Sequence, residues 1–241
     1  MYEEQVKQLQ KMIDECHSIV FFGGAGVSTE SGIPDFRSAD GVYHQQYKYS
    51  PERVVSHSFF QQNTESFYEF YKDKMMILDA KPNAAHRKLA ELEKAGRLTS
   101  VVTQNIDGLH QAAGSQQVWE LHGSIHRNYC TRCGKFYDAA YVKNSEGIPK
   151  CECGGIIKPD VVLYEEGLNS EIIQGAVRDI SHADMLIIGG TSLVVYPAAG
   201  FVDYFKGKYL VVINKSETAK AVRTNLSING PIGEIMKQIN V

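Results

Sequence analysis

The sequence has no block of basic residues and no long apolar run that is free of breaks. Its 25 lysines and arginines against 28 acidic residues give a formal net charge of −3, so it lacks the concentrated positive charge of general nucleic-acid binders. The weakly polar stretch 185–202 is interrupted by Gly189, Gly190 and Pro197, which favours a strand and a loop over a membrane span. The charged segment 1–16 has no apolar core, so we expect an amphipathic helix there and no secretory signal. These absences predict a cytoplasmic protein that binds neither nucleic acid nor a membrane.

Apolar and aromatic residues, in contrast, are plentiful. The 241 residues are 43% hydrophobic and include 13 tyrosines and 10 phenylalanines, which excludes a disordered chain. A chain of this size can bury a full core without disulfides or a second subunit, so we expect a monomer. The length allows one large domain with a small insertion.

Short apolar runs alternate with loops and helical patterns along the chain. Because the runs are continuous and do not alternate with polar residues, they favour parallel strands that are buried on both faces. They lie at 18–22, 98–103, 185–188 and 209–213, and helical patterns lie at about 65–79, 83–95, 170–182 and 197–206. This order predicts an α/β fold, a doubly wound parallel sheet with ligands at the carboxyl ends of its strands.

Four of the five cysteines lie in the segment 124–158, which has no long apolar run. Their pattern is C-x2-C, a gap of 17 residues and C-x-C, which suits four thiolates around one structural Zn²⁺ with no position left for water. A mixed site that combines His122 or His126 with the first cysteine pair is the alternative. Disulfides are not expected in a reducing compartment. The sequence therefore predicts a small zinc-binding insertion, 124–158, in a larger domain made of 1–123 and 159–241, with the ligands Cys130, Cys133, Cys151 and Cys153.

A glycine-rich turn and a polar loop follow the first two predicted strands. Gly24-Ala25-Gly26 resembles a dinucleotide-binding turn, in which glycines let the backbone approach a pyrophosphate. Thr29 replaces the third glycine of that motif, and a tight turn without a ligand is the alternative. The residues at 104–107, Gln-Asn-Ile-Asp, would be costly to bury at the end of a strand unless a ligand satisfied them.

Several motifs, taken together and in order, resemble the sirtuins, the NAD-dependent protein-lysine deacylases, over about residues 6–235. The motifs are Gly24-Ala25-Gly26-Val27-Ser28, Gly32-Ile33-Pro34-Asp35-Phe36-Arg37-Ser38, Thr103-Gln104-Asn105-Ile106-Asp107-Gly108-Leu109-His110, Leu121-His122-Gly123, the two cysteine pairs, Gly190-Thr191-Ser192-Leu193, Tyr196-Pro197-Ala198-Ala199 and Asn214. The resemblance implies a Rossmann-like NAD-binding domain with an inserted zinc ribbon, and acyl-lysine proteins or peptides as substrates in the cleft between them. It also implies that the acyl group passes from lysine to ADP-ribose while nicotinamide is released.

The resemblance further implies roles for individual residues. His122 would be the general base, since an imidazole titrates near neutral pH, and Asn105 and Asp107 would act beside it at the catalytic centre. The residues that would contact NAD are Gly24, Ala25, Gly26, Thr29, Asp35, Phe36, Arg37, Gln104, Asn105, Ile106, Asp107, Gly190, Thr191, Ser192, Asn214 and Lys215. A histidine bonded only to backbone is the alternative at position 122. His86 and His110 sit among helix-forming residues, so we expect them to be structural.

The segment that would bind the peptide departs from the sirtuin pattern. In the family this segment ends Phe-Gly-Glu, whereas this chain has Tyr164-Glu165-Glu166. A carboxylate at position 165 is expected to favour basic peptides. The residues implied to contact the substrate, by strand-like pairing with its backbone, are Val162, Leu163, Tyr164, Leu193, Val194 and Val195.

The same residues bear on acyl selectivity and on two alternative functions. Sirtuins that prefer succinyl or malonyl groups carry Tyr-x-x-Arg, where this chain has Tyr68-Glu69-Phe70-Tyr71, so we expect acetyl over succinyl because a buried carboxylate would be unpaired. The same pocket with a protein nucleophile would make an NAD-dependent protein ADP-ribosyltransferase. A non-catalytic NAD-sensing scaffold, with the zinc ribbon as its docking module, would not require an imidazole at position 122.

Overall fold

The computed structural model describes residues 2–35, 49–215 and 224–241. Its strands are β1 (Ile19–Gly23), β2 (Leu98–Thr103), β3 (Val118–Glu120), β4 (Gly123–Cys130), β5 (Phe136–Tyr137), β6 (Ile157–Val161), β7 (Met185–Gly189), β8 (Tyr209–Asn214) and β9 (Leu226–Asn229). Its α-helices are α1 (Glu3–Asp14), α2 (Pro51–Val54), α3 (His57–Gln62), α4 (Thr64–Phe70), α5 (Ala84–Lys94), α6 (Leu109–Ala113), α7 (Ala139–Asn144), α8 (Ser170–His182) and α9 (Ile232–Met236). Short 3₁₀ helices cover Ala25–Val27, Thr29–Ser31 and Ala198–Tyr204, and a π-helical turn covers Tyr71–Met75. Within these described ranges, no helix combines the length and apolarity that crossing a lipid bilayer requires.

Six of the described strands form one parallel sheet in the order β3-β2-β1-β7-β8-β9. Counted along the chain within this sheet, the order is third, second, first, fourth, fifth and sixth, which is the Rossmann arrangement. β1 and β7 are neighbours, paired from Ile19 and Met185 to Gly23 and Gly189, and the strand order reverses between them. The predicted doubly wound sheet is confirmed. Its carboxyl edge at this reversal is where such folds bind ligands.

Apolar cores on both faces of the sheet explain why its strands are continuous hydrophobic runs. On β1, Phe21 lies in the core on one face, and Val20 and Phe22 lie in the core on the other. Helices α1, α5 and α9 contribute to the first core, and α8 contributes to the second. Successive side chains of a strand point to opposite faces, so a strand covered on both sides is mostly apolar, and buried polar residues such as Ser100 and Thr103 on β2 are exceptions.

The central strands lie where the apolar runs predict them, and the edge strands carry no such signal. The four predicted strands are confirmed within one residue at each end, whereas β3 and β9 were not predicted. The helix predicted over 65–79 ends earlier, because α4 stops at Phe70 and one π-helical turn carries the chain to Met75. The helix predicted over 197–206 is a 3₁₀ helix, Ala198–Tyr204.

A second, antiparallel sheet has the order β5-β4-β6 and packs against α2, α3 and α4. In their shared core, aromatic side chains such as Phe67 contact apolar residues of the inserted segment such as Ile125. The Tyr68 hydroxyl donates to the carbonyl of Ile157, and the Lys72 ammonium donates to the carbonyl of Gly147 at 2.8 Å. We call this packing unit, residues 49–76 and 123–161, the small lobe.

Candidate active site

A cavity of about 980 Å³, called the cleft below, opens at the carboxyl edge of the parallel sheet beside the small lobe. Its walls come from the loops after β1, β2, β7 and β8 and from the segment after β6. The predicted site residues in its lining are Gly24, Ala25, Gly26, Thr29, Asp35, Gln104, Asn105, Ile106, Asp107, His122, Val162, Leu163, Tyr164, Gly190, Thr191, Ser192, Val195, Asn214 and Lys215. Phe36 and Arg37 lie outside the described residues.

The glycine turn after β1 interlocks with the loop after β7. The Gly26 amide donates to the Gly190 carbonyl at 2.8 Å. Gly190 has φ +59°, and a Cβ added there would lie 2.3 Å from the Val27 nitrogen. This close approach requires a glycine on each loop. Thr29, which occupies the third glycine position of the dinucleotide-binding motif, is not part of this close approach. Its hydroxyl donates to the Gly26 carbonyl at 3.0 Å.

Ser28 joins the glycine turn to the polar loop after β2. Its hydroxyl donates to Asp107 Oδ2 at 2.6 Å and accepts from Asn105 Nδ2 at 3.1 Å. Asp107 Oδ1 accepts from the Leu109 amide at 2.9 Å, so both carboxylate oxygens are held. Ser28 and Asn105 are buried. Ser28 is a site residue that the sequence analysis missed, although it lies inside the quoted motif between Gly26 and Thr29.

Gln104 bridges the two sides of the cleft with its side chain and its backbone. Its Nε2 donates to the Thr191 hydroxyl at 3.0 Å, across to the loop after β7. Its carbonyl oxygen lies 2.9 Å from His122 Nδ1. A carbonyl oxygen can only accept, so this contact places the ring proton of neutral His122 on Nδ1.

The same contact leaves the lone pair of neutral His122 on Nε2, and His122 lines the cleft. Burial lowers the pKa of His122 below its ordinary value, and the hydrogen bond to Gln104 opposes that shift in part. The imidazole is therefore neutral at pH 7 and able to accept a proton at Nε2. Among the described residues the His122 ring has this one hydrogen bond, to a backbone carbonyl, which fits both the general base and the alternative of a histidine bonded only to backbone.

Asn214 and Thr191 hold the loops after β8 and β7 together. The Thr191 amide donates to Asn214 Oδ1 at 3.1 Å, and Asn214 Nδ2 donates to the Thr191 carbonyl at 2.7 Å. Both residues are buried. This reciprocal pair fixes the end of the cleft where Ser192 and Lys215 also line the wall.

The residues expected to contact a peptide fall into two groups. Val162, Leu163, Tyr164 and Val195 line the cleft. Leu193 is only 2% exposed and packs in the core, and Val194 is 38% exposed. Neither of these two side chains is in the cleft lining, so a contact from them with a peptide would involve the backbone or the surface outside it.

Two adjacent glutamates at the mouth of the cleft have different environments. Glu166 is in contact with His57 Nδ1 at 2.8 Å and with the Lys158 ammonium at 3.1 Å. Glu165 accepts hydrogen bonds from the Ser58 amide at 2.9 Å and the Ser58 hydroxyl at 3.0 Å. The backbone of Glu165 has φ +77°, a left-handed conformation that favours the glycine of the sirtuin pattern.

The small lobe contributes a cation to the cleft that the sequence analysis did not consider. Lys74, on the π-helical turn, lines the cleft with Met75 and Ile77. Its ammonium lies 2.9 Å from the Asp73 carboxylate. Tyr68, which stands at the tyrosine position of the Tyr-x-x-Arg motif discussed above, is buried within the core of the small lobe and does not line the cleft. The wall that the small lobe gives to the cleft therefore contains an ammonium group beside a carboxylate.

The structure agrees with structural roles for His86 and His110. Both are buried, with their ring centroids 4.7 Å apart. Nδ1 of His86 accepts from the Asn83 amide at 3.2 Å and completes the capping box of α5. Neither histidine is in the cleft lining.

The four cysteines of the insertion come together at one end of the small lobe. Their sulfur atoms all lie within 4.8 Å of one another, with Cys130 and Cys153 at 3.5 Å and Cys133 and Cys151 at 3.6 Å. A tetrahedron with Zn–S bonds of about 2.3 Å has sulfurs about 3.8 Å apart, which these separations approach. The four thiols are thus a site for one structural zinc, and neither His122 nor His126 belongs to the group.

Comparisons with known proteins agree with this geometry. The NAD-dependent protein deacetylase of Clostridium acetobutylicum is 59% identical over 240 residues, 98% of each chain, and that of Clostridium perfringens is 55% identical over 241 residues, 98% of this chain and 99% of its own. A structure of Sir2 with a deacetylated p53 peptide and 3′-O-acetyl ADP-ribose has a TM-score of 0.89 at 38% identity, over 97% of this chain and 96% of that one. A structure of Sir2 with a p53 peptide and NAD⁺ has a TM-score of 0.85 at 39% identity, with the same coverage. The model of the Sir2 family matches residues 24–197, and the chain belongs to the Sir2 family.

Proposed function

We propose that this chain is an NAD-dependent protein-lysine deacetylase in which His122 is the general base. The observation that carries the proposal is the His122 ring, which lines the cleft and is held there by the contact between its Nδ1 and the Gln104 carbonyl. Relatives at 55–59% identity are named NAD-dependent protein deacetylases, and related Sir2 structures hold acetylated peptide or acetyl ADP-ribose. These comparisons support the same reaction here.

NAD is a co-substrate of this reaction, and when bound it supplies the ribose carbon that accepts the acyl oxygen as nicotinamide leaves. Gly26 and Gly190 pack against each other and both line the cleft, and we expect the pyrophosphate beside this glycine turn. Thr191, Ser192 and Asn214 hold the phosphate and adenosine side, and Lys215 also belongs to the NAD-binding set. Gln104 touches the ribose, and Ile106 and Asp107 hold the nicotinamide carboxamide. Gly24, Ala25, Thr29, Asp35, Phe36 and Arg37 complete the NAD-binding set.

His122 takes a proton from a ribose hydroxyl at Nε2, which makes that hydroxyl nucleophilic toward the transferred acyl group. Its lowered pKa keeps the ring neutral at the start of the reaction. Once the ring is protonated, Nδ1–H still donates to the Gln104 carbonyl, so the imidazolium is stabilised without any rearrangement. Asn105 acts as a positioning residue, because Ser28 fixes its side chain beside Asp107.

The acyl-lysine peptide lies between the segment Val162–Tyr164 and the loop that contains Leu193, Val194 and Val195, and it pairs with them through its backbone. The insertion 124–158 acts as a zinc-binding domain within the discontinuous domain 1–123 and 159–241. Zinc holds the four cysteines there and takes no part in the chemistry, because a four-sulfur shell leaves no open position.

Incubation of an acetyl-lysine peptide with and without NAD, followed by mass spectrometry, tests the proposal. The wild type is expected to remove the acetyl group only with NAD, and His122→Ala is expected to be inactive. His182→Ala is the matched control, because His182 Nδ1 also contacts a backbone carbonyl, at 2.8 Å, but on the exposed end of α8. It is expected to retain full activity.

Two outcomes would replace this proposal. A peptide or protein that gains ADP-ribose without losing acetyl would indicate an ADP-ribosyltransferase. Binding of NAD without any peptide-dependent release of nicotinamide would indicate an NAD sensor.

We also propose that the protein works as a monomer in the cytoplasm without direct contact with nucleic acid. The four-cysteine site supports a reducing compartment, because thiols that bind zinc must not form disulfides. The balanced charge of the chain supports the absence of nucleic-acid binding. Size-exclusion chromatography with light scattering tests the oligomeric state.

A further inference from the structure

Glu165 occupies a backbone conformation that its side chain disfavours. Its φ of +77° lies in the left-handed region, where a Cβ is too close to the following carbonyl and glycine is preferred. Non-glycine residues that persist in this region cluster at ligand-binding sites. A charged side chain at a strained position on the wall of the cleft calls for an explanation from binding.

The carboxylate of Glu165 is oriented but carries a charge that no neighbour neutralises. Ser58 donates its amide and its hydroxyl to the two carboxylate oxygens, and both donors are electrically neutral. Glu166, the next residue, has the ammonium of Lys158 and the ring of His57 beside it. Among the described residues, no lysine, arginine or histidine lies within ion-pair distance of Glu165.

Tyr164, the residue before Glu165, is tied to the small lobe by two backbone hydrogen bonds. The Tyr164 amide donates to the Val55 carbonyl at 3.0 Å, and the Tyr164 carbonyl accepts from the His57 amide at 3.0 Å. Tyr164 is 38% exposed and lines the cleft next to Glu165. Both backbone groups of Tyr164 are thereby bonded within the protein, and a peptide that lies along the wall formed by Val162, Leu163 and Tyr164 has the Glu165 carboxylate beside it.

We propose that Glu165 is a specificity-determining residue that selects acyl-lysine peptides with a lysine or arginine adjacent to the acyl-lysine, and disfavours those with an acidic residue there. The inference rests on the proposed deacetylase function and names the substrate class for that site. The strained backbone holds the charge at the mouth of the cleft, and Ser58 aims it.

The test uses three acetyl-lysine peptides that differ only in having arginine, glutamine or glutamate on both sides of the acetyl-lysine. We expect the wild type to show a kcat/KM for the arginine peptide up to about five-fold above that for the glutamine peptide, the range of an exposed ion pair. The glutamate peptide is expected to be the poorest substrate. The preference should weaken at high salt, because the charges are exposed.

Glu165→Gln retains an oxygen that can accept from Ser58 but removes the charge, so its kcat/KM values for the arginine and glutamine peptides should become equal. Glu165→Gly removes the charge and the backbone strain together, and it should lose the preference as well. Glu3→Gln is the matched control, since it removes a glutamate charge on α1, where Glu3 pairs with Lys7 at 2.8 Å and does not line the cleft. It should leave the wild-type preference intact.

A Glu165→Gln variant that keeps the wild-type ratio between the peptides would overturn the inference. So would a wild type that deacetylates all three peptides equally, and in that case the deacetylase function would still stand. A wild type that deacetylates none of them would instead refute the proposed function.

Discussion

The interlock between the two glycine loops makes a quantitative prediction about Gly190→Ala. Gly190 has φ +59°, which costs an alanine about 1–2 kcal/mol, and its new Cβ would lie 2.3 Å from the Val27 nitrogen. Relief of such a clash by backbone movement costs typically about 1–3 kcal/mol more. Because Val27 follows the glycine turn, the movement would also displace the proposed NAD-binding backbone.

Gly96→Ala is the matched control for this substitution. Gly96 has φ +72°, and nothing lies within 4 Å of a Cβ added there. It follows α5 and is not in the cleft lining. Both variants have the left-handed strain and the same change in the unfolded chain, so their difference isolates the clash at about 1–3 kcal/mol.

Thermal unfolding measures this difference. At about 2–4 °C per kcal/mol for a protein of this size, Gly190→Ala should melt about 2–12 °C below Gly96→Ala. Its KM for NAD should also rise, whereas that of Gly96→Ala should not. Equal melting temperatures for the two variants would refute the view that the loops touch through glycine.

Three further predictions concern pH, acyl choice and zinc. Burial holds the pKa of His86 at about 4, below its ordinary value of about 6.5, so its stabilising contribution is complete above pH 6.5 and is lost as pH falls from there toward 4. Melting temperature should therefore fall between pH 7 and pH 5, less steeply in His86→Gln, and equal slopes would contradict this. Acetyl peptides should be better substrates than succinyl peptides because Asp73 offsets the charge of Lys74. Asp73→Asn should therefore raise the succinyl-to-acetyl ratio of kcat/KM by up to about five-fold. An unchanged ratio would show that Lys74 does not face the acyl group. Metal analysis should find about one zinc per chain. Cys133→Ser should lose this zinc and have a lower melting temperature than the wild type. Wild-type protein stripped of zinc that melts at the same temperature as the zinc-loaded protein would disprove a structural metal.

The central strands could be predicted from sequence because burial on both faces leaves a clear signal. Phe21 and Phe22 point to opposite cores, so every residue of the run is apolar. β3 gives no such signal, because it has three residues and only Glu120 among them is buried. β9 was also missed because it has four residues that alternate between buried and exposed.

The candidate site shows a similar division between local motifs and packing across the chain. His122, the four cysteines and most of the residues that line the cleft could be named because each belongs to a short motif with its own chemistry. Ser28, Lys74 and the contact between Gly26 and Gly190 depend on segments far apart in sequence. The left-handed backbone at Glu165 is likewise visible only in the structure, although the departure from glycine was evident from the residue itself.

The shared core of the small lobe has a consequence for how this enzyme can be altered. The inserted segment does not fold against itself alone, since Ile125 and Ile157 are covered by aromatic residues of α3 and α4. Val55 and Met75, which flank those helices, also form part of the cleft wall. A transplant of the cysteine-bearing segment into another member of the family must therefore bring residues 49–76 with it, and the recipient would inherit this wall of the donor's cleft together with its metal site.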